Sequence, residues 1–511
     1  MSHRNSERPI ILTDDAWIMG EQPPISVKDL KEKMIDPLKN TPAALWWSIG
    51  DYEKYHIETN VGERVSNEGY SRDTNAAAIL ENLVTESGGP LTSLVKLCKD
   101  AGIEFFPRVR MNSHYAYKVQ YEGGYRNEHP DLLIGKPGEE IPEGTIDHGI
   151  RRGKNYTFKE NRDYMYGVIT ELFERWDIDG VELDFCRHPA MFRREEAFQN
   201  RYLMTDLIKR VRARMNEVGK ERNKKILLAV RVGQTLNRNR EIGLDVRKWM
   251  KDGLVDIVTA GIGWMPFSLP LPEFVEAAKG TNCQIYGCIE GLRPHVDDTL
   301  LRGTATKFWN QGASGIHLYN YFTMHPQWWD RMLNELSDPK NLTGLNACYE
   351  IEDSGRYTYP GHGDAFQNAS VPEQLPATLR DTLTDRGAIF EIEISDDIEA
   401  AVKAKTLETC VLGFEMDNFS PTHELSVKIN GKSLNRQSTW TANGSVEWGP
   451  MSGKRNVYFN ITSPPLKNGL NIIEVKLIEP KPYNYILRER KDEEDRAPII
   501  HKIHVHVLYK H

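Results

Sequence analysis

The sequence predicts an α/β chain: a (β/α)8 TIM barrel followed by a C-terminal all-β sandwich. Three observations carry this. Eight short apolar runs alternate with helix-like segments as far as about residue 340. No Gly-rich phosphate loop follows an early run, as an open doubly wound sheet would normally have. Beyond about residue 345 the texture changes to period-two alternation punctuated by Asn-Gly and Gly turns.

In chain order the eight runs are "PIILT" near Ile10, "AALWWSIG" near Trp46, "IEFFPRVRM" from Ile103 and "DGVELDF" from Asp179. Then come "ILLAVRV" from Ile226, "VDIVTAG" from Val255, "QIYGCIEG" from Gln284 and "SGIHLYNY" from Ser314. Between them, "ENRDYMYGVITELFERW" repeats Tyr164, Val168, Leu172 and Trp176 at every fourth residue. "RYLMTDLIKRVRARMNEVG" aligns Leu203, Leu207, Val211 and Met215, with Gly219 as the expected stop, and "LTSLVKLCKDAG" closes on Gly102. The barrel is expected over residues 1–345, a joint over 346–378 and the sandwich over 379–511. The connection 112–157 is too long for an ordinary linker, and its Gly, Pro, Arg and aromatic residues suit a lid that touches ligand.

Composition narrows the classes. With 511 residues, 39% apolar and 27% charged, the chain suits a folded protein of two or three domains. A formal net charge of −8 and the lack of a basic helix argue against a nucleic-acid partner. No run reaches the roughly 18 apolar residues of a membrane span. The N-terminal "MSHRNSERPIILTDD" lacks a secretory pattern, which suits a cytoplasmic protein or one exported with its leader removed. The six cysteines are scattered without CxxC, so reduced thiols are expected. No HxH or HExxH spacing calls for a metal, and no cofactor is expected. Oligomeric state is not legible.

Barrel chemistry sits where strands end. The first run ends in Asp14 and Asp15, the second in Asp51, and the third in Arg108, Arg110, Asn112 and His114. The fourth ends in Asp184, followed by Arg187 and His188. The fifth carries Arg231 and Gln234, the sixth Trp264, the seventh Glu290, and the eighth Tyr319 and Asn320. Alternation puts Gly180, Glu182 and Asp184 on the inner face. Glu182 lies one layer down, where a structural ion pair with an arginine is expected. Two carboxyl groups above one barrel suit cleavage of a glycosidic bond, one protonating the leaving oxygen and the other attacking or activating water. Asp184 is the acid/base candidate and Glu290 the nucleophile, and the reversed assignment stands close beside it. Arg108, Arg110, Asn112, His114, Arg187, His188, Arg231, Trp264, Tyr319 and Asn320 are the expected saccharide contacts. If the arginines outnumber their carboxylate partners, an anionic sugar is favoured.

The strand ends "DGVELDF.R.P", "RVRMN..H", "IEG" and "GIHLYNYF" resemble those of family-10-like glycoside hydrolase barrels, over roughly residues 8–340. "VKINGK" and "GLNIIEVKL" resemble accessory β-sandwich modules of such enzymes. The resemblance implies catalytic carboxylates after strands four and seven, matching Asp184 and Glu290. The Asn-Glu pair that the related clan carries after strand four is missing here. Two other readings stand beside the hydrolase: a catalytically inactive carbohydrate-binding barrel, and a metal-assisted hydrolase or lyase using Asp14, Asp15, His114, His188 and Asp184.

Overall fold

The structure is a computed structural model. It describes residues 8–51, 54–66, 71–113, 123–261, 269–291, 296–321, 325–353, 374–379, 387–419, 423–435, 439–443, 454–478 and 497–510. Eight parallel strands close into a barrel: β1 (Ile10–Asp14), β2 (Ala43–Ser48), β3 (Phe105–Arg110), β4 (Gly180–Asp184), β5 (Leu227–Val232), β6 (Ile257–Ala260), β7 (Gln284–Glu290) and β8 (Gly315–Tyr319). Each pairs with its sequence neighbours, and β1 closes against β8 through Thr13 opposite Tyr319. The outward residues of the strands join the surrounding helices in one large apolar core.

The interior is layered. Ile11, Ala44, Trp46, Phe106, Ala229, Ile257 and Tyr286 form a separate apolar plug at the lower end. Trp46 and Phe106 stack there with centroids 4.9 Å apart and planes 7° from parallel. The plug needs small neighbours. A Cβ on Gly180 would stand 2.4 Å from the Phe106 ring and 2.5 Å from the Leu227 carbonyl oxygen. Above the plug the inner face turns polar, and the strands carry Arg108, Glu182, Asp184, Arg231, His317 and Tyr319 into the mouth.

Helix ends follow local chemistry, with one difference from expectation. The helix Pro90–Ala101 stops at Gly102, whose φ of 71° is left-handed. The helix Arg194–Glu221 runs through Gly219, and the left-handed residue is Asn223, with φ of 51°. Gly219 is needed there for another reason: its carbonyl accepts the Lys224 N–H at 2.8 Å, and a Cβ would meet the Lys224 oxygen. The described part of the long β3–β4 connection is folded onto the barrel. Tyr125 stacks on Tyr164 at 4.1 Å, buried Arg126 donates to the Ser113 carbonyl at 3.0 Å, and the Ile134 N–H donates to the Gly153 carbonyl at 2.8 Å.

The C-terminal sandwich consists of two antiparallel sheets. One orders β9 (Ala347–Glu352), β16 (Ile499–Tyr509), β11 (Leu407–Asp417), β14 (Lys454–Ile461) and β13 (Thr439–Asn443); the other orders β10 (Ala388–Ile394), β15 (Gly469–Ile478) and β12 (Glu424–Ile429). Phe390, Ile392, Leu412, Phe414, Ile473 and Val505 from both sheets share one core. β9 lies inside the stretch that the sequence assigns to a joint, because "CYEIED" pairs across 150 residues with β16 rather than with a nearby hairpin partner. The helix Asp298–Asn310 packs on β9, where Gly303 lets the backbone at Cys348 come close. All six cysteines are free thiols. No helix among the described residues is long and apolar enough to cross a membrane.

Candidate active site

Strand register sets the site. Arg108 on β3 lies opposite Glu182 on β4, Arg110 opposite Asp184, and Asp184 opposite Arg231 on β5. Cross-strand partners on one face of a sheet are within reach of one another, so two carboxylates and three guanidiniums interleave. The Asp184 carboxylate accepts from Arg231 Nε at 3.0 Å and Nη2 at 3.1 Å, from the Cys186 N–H at 2.9 Å, and from Arg108. Arg108 also pairs with Asp15, and its Nε stands 3.2 Å from Glu182. Arg110 donates to Asp15 at 2.8 Å. Tyr319 forms the hub of this array: Arg108 Nη2 donates to its hydroxyl at 2.5 Å, and the Arg108 and Arg231 guanidiniums lie 4.7 and 4.1 Å from its ring centroid.

Burial and charge split the carboxyl groups. Asp184 and Glu182 are each 0% exposed. Burial alone would raise the Asp184 pKa, but Arg108 and Arg231 outweigh it and hold the group ionised, well below the usual carboxylate range. Glu182 is pushed up to about 8, burial prevailing over Arg108. Asp15 behaves like Asp184: burial raises it, and Arg110, Arg108 and Arg187 bring it below the ordinary value. Asp14 points out of the barrel, accepts the Trp17 N–H at 3.1 Å, and is pushed up to about 7 by burial.

Glu290 ends β7 opposite Tyr319, and its Oε1 accepts from Asn320 Nδ2 at 3.1 Å. Asn320 holds a left-handed backbone with φ of 63°, uncommon outside glycine and a conformation that concentrates at functional sites. Cys288, one layer below Glu290, is pushed up to about 12 by burial and feels the charges of Arg231, Glu290, Glu182 and Asp184. Cys288 thus sits within electrostatic reach of carboxyl groups from both β4 and β7. Arg231 Nη1 and Asn320 Oδ1 are among the buried polar atoms at this mouth that carry no hydrogen bond among the described residues.

The sequence-predicted residues divide as follows. Arg108, Arg110, Arg231, Glu182, Asp184, Tyr319, Asn320 and Glu290 come together at the mouth. Arg187 is half-buried there and acts electrostatically on Asp15. His188 is buried in the loop after β4. Asn112 faces elsewhere, because its amide donates to the Ala190 and Lys154 carbonyls at 2.6 and 3.1 Å and accepts the Lys154 N–H at 3.0 Å, tying loops together. His114 and Trp264 lie outside the described residues.

One expectation changes on physical grounds. A carboxylate clamped ionised by two guanidiniums has no proton to give, so the acid/base role assigned to Asp184 does not suit its surroundings. Arg108, Arg110 and Arg231 each pair with Asp15 or Asp184. Among the described residues, no group of three or more His, Cys, Asp and Glu side chains is arranged to hold a metal ion. His317, which sequence reasoning passed over, sits inside the barrel on Thr13 Oγ1, and burial together with Arg231 and Arg108 drives its pKa well below the ordinary value. Its signal was the alternation of "GIHLY", which puts His317 on the same face as Tyr319.

No protein-family model matches the chain, and no curated protein matches it. Its structural neighbours include glycoside hydrolases. The glycoside hydrolase domain of PgaB (BpsB) from Bordetella bronchiseptica is 12% identical over 65% of this chain and 98% of its own, with a TM-score of 0.42. The endo-beta-1,4-mannanase from Thermotoga petrophila is 11% identical over 92% and 96%, with a TM-score of 0.44. A glycoside hydrolase family 18 N-acetylglucosaminidase from Paenibacillus barengoltzii is 10% identical over 64% and 99%, with a TM-score of 0.38.

Proposed function

We propose that the chain is a glycoside hydrolase that cleaves a poly- or oligosaccharide by a two-carboxylate mechanism, with Asp184 as the ionised group and Glu290 as the proton donor. The supporting observation is the fixed charge of Asp184, one of the two strand-end carboxyl groups. Asp184 is fixed in its charged form by Arg108 and Arg231. Glu290 accepts from the amide of Asn320. A carboxyl group held charged suits the nucleophile, which leaves the other strand-end carboxyl group for proton donation. Glu290 gives its proton to the glycosidic oxygen as the bond to the anomeric carbon breaks. Asp184 attacks that carbon or stabilises its positive charge, and water deprotonated by Glu290 completes hydrolysis. Arg231 Nη1 and Asn320 Oδ1 are available to sugar hydroxyls. The strand-end motifs that resemble family-10-like barrels agree with this reading. A panel of polysaccharides and oligosaccharides with product identification tests it, with Asp184→Asn and Glu290→Gln as inactive controls.

One observation favours a second reading. Asp184 is 0% exposed with its oxygens occupied by protein donors, which suits a structural ion network in a saccharide-binding barrel without turnover. Binding without products across the panel would select it.

A further inference from the structure

The flank of the barrel below the β4 and β5 loops carries an unusual surface. The helix Arg194–Glu221 follows β4, and the short helix Leu236–Glu241 follows β5. These are the two strands whose Asp184 and Arg231 form the clamp. In the first turns of the longer helix, Phe198 is 47% and Tyr202 58% exposed. Four residues apart, they share one helix face about 6 Å apart along the axis, close to the length of one sugar ring. The Arg201 guanidinium lies 4.3 Å from the Phe198 ring centroid and that of Arg240 lies 5.4 Å from it. Arg201 has a loose ion pair with Asp245 at 3.6 Å, while Arg240 has no carboxylate partner among the described residues. Cations resting on an aromatic ring, with little opposing charge, form a cradle for an anionic group. The adjacent Tyr202 offers an apolar face for a sugar ring.

We infer that Phe198, Arg201, Tyr202 and Arg240 form a second, non-catalytic binding site for an anionic polysaccharide, carboxylated or sulfated, that runs from the mouth onto this flank. The inference rests on the saccharide reading of the mouth, and it adds a preference for negative charge at Arg240 and Arg201. The site holds polymer beside the mouth and takes no part in bond cleavage.

The test uses the full chain in native affinity gels containing polygalacturonate, alginate or heparin, with neutral xylan and mannan alongside. Wild type should be retarded by at least one anionic polymer, less so as salt screens the arginines. Arg240→Gln and Phe198→Ala/Tyr202→Ala should weaken retention roughly tenfold. Their turnover of short neutral oligosaccharides or aryl glycosides should match wild type, and Asp184→Asn should be retained like wild type. Retention of the variants equal to wild type, retention by neutral polymers alone, or no retention at all would overturn the inference. So would a loss of self-association in the variants by light scattering, which would make the patch a contact between copies of the chain. Absence of turnover in the oligosaccharide panel would instead count against the function proposed for the mouth.

Discussion

Replacing Asp184 with Asn keeps the shape of the side chain and removes the charge that the mouth is built around. Asn Nδ2 is a donor, so it would meet the guanidinium donors of Arg231 or Arg108 where an acceptor now stands. Arg108 retains Asp15 and Glu182. Arg231, 1% exposed, pairs with Asp184 as its only carboxylate among the described residues. Its charge would remain buried and uncompensated, a change that costs about 3–5 kcal/mol. Urea unfolding followed by tryptophan fluorescence measures this, because nine of the eleven tryptophans precede residue 345 and report the barrel. Adding Arg231→Met removes the stranded cation, so the double variant should recover half or more of the loss. A cost under about 1 kcal/mol for Asp184→Asn, or strict additivity in the double variant, would refute the clamp.

Other predictions follow from the same geometry. Glu182 has a folded pKa near 8, against about 4.3 when unfolded, so its stabilising protonated form is fully present below the lower value and is lost as pH rises through the upper one. Wild-type stability should therefore fall between about pH 4 and 8 relative to Glu182→Gln, and parallel unfolding series at several pH values check this; identical slopes would contradict it. Asn320→Gly keeps the left-handed backbone at φ 63° but deletes the hydrogen bond to Glu290, so turnover should drop about tenfold or more with little change in melting temperature. Gly180→Ala forces a methyl against the Phe106 ring and the Leu227 carbonyl, so it should cost about 1–3 kcal/mol, and a shorter side chain at Phe106 should return part of it.

The barrel was legible because strands buried on both faces read as short apolar runs, and eight of them coincide with β1 to β8. The inward direction of Glu182 and Asp184 was also legible, since period-two alternation is a local property. Pairing partners were less so. Alternation puts Arg108, Arg110 and Arg231 at strand ends, but only the side-chain contacts show that Arg108 and Arg231 converge on Asp184 while Arg110 takes Asp15. That convergence is what holds Asp184 ionised. Asn112 looked like a mouth residue from its place after β3, and its use as a loop tie depends on Ala190 and Lys154, which are 78 and 42 residues away. The start of the sandwich was blurred for the same reason, since β9 finds its partner near the far end of the chain.

The most direct measurement incubates purified wild type, Asp184→Asn and Glu290→Gln with a panel of oligosaccharides and polysaccharides and identifies the products. The account predicts shorter saccharides from wild type, and losses of about a thousandfold or more in both variants while each remains folded. Full activity in either folded variant, or unaltered substrates throughout with wild type, would contradict it.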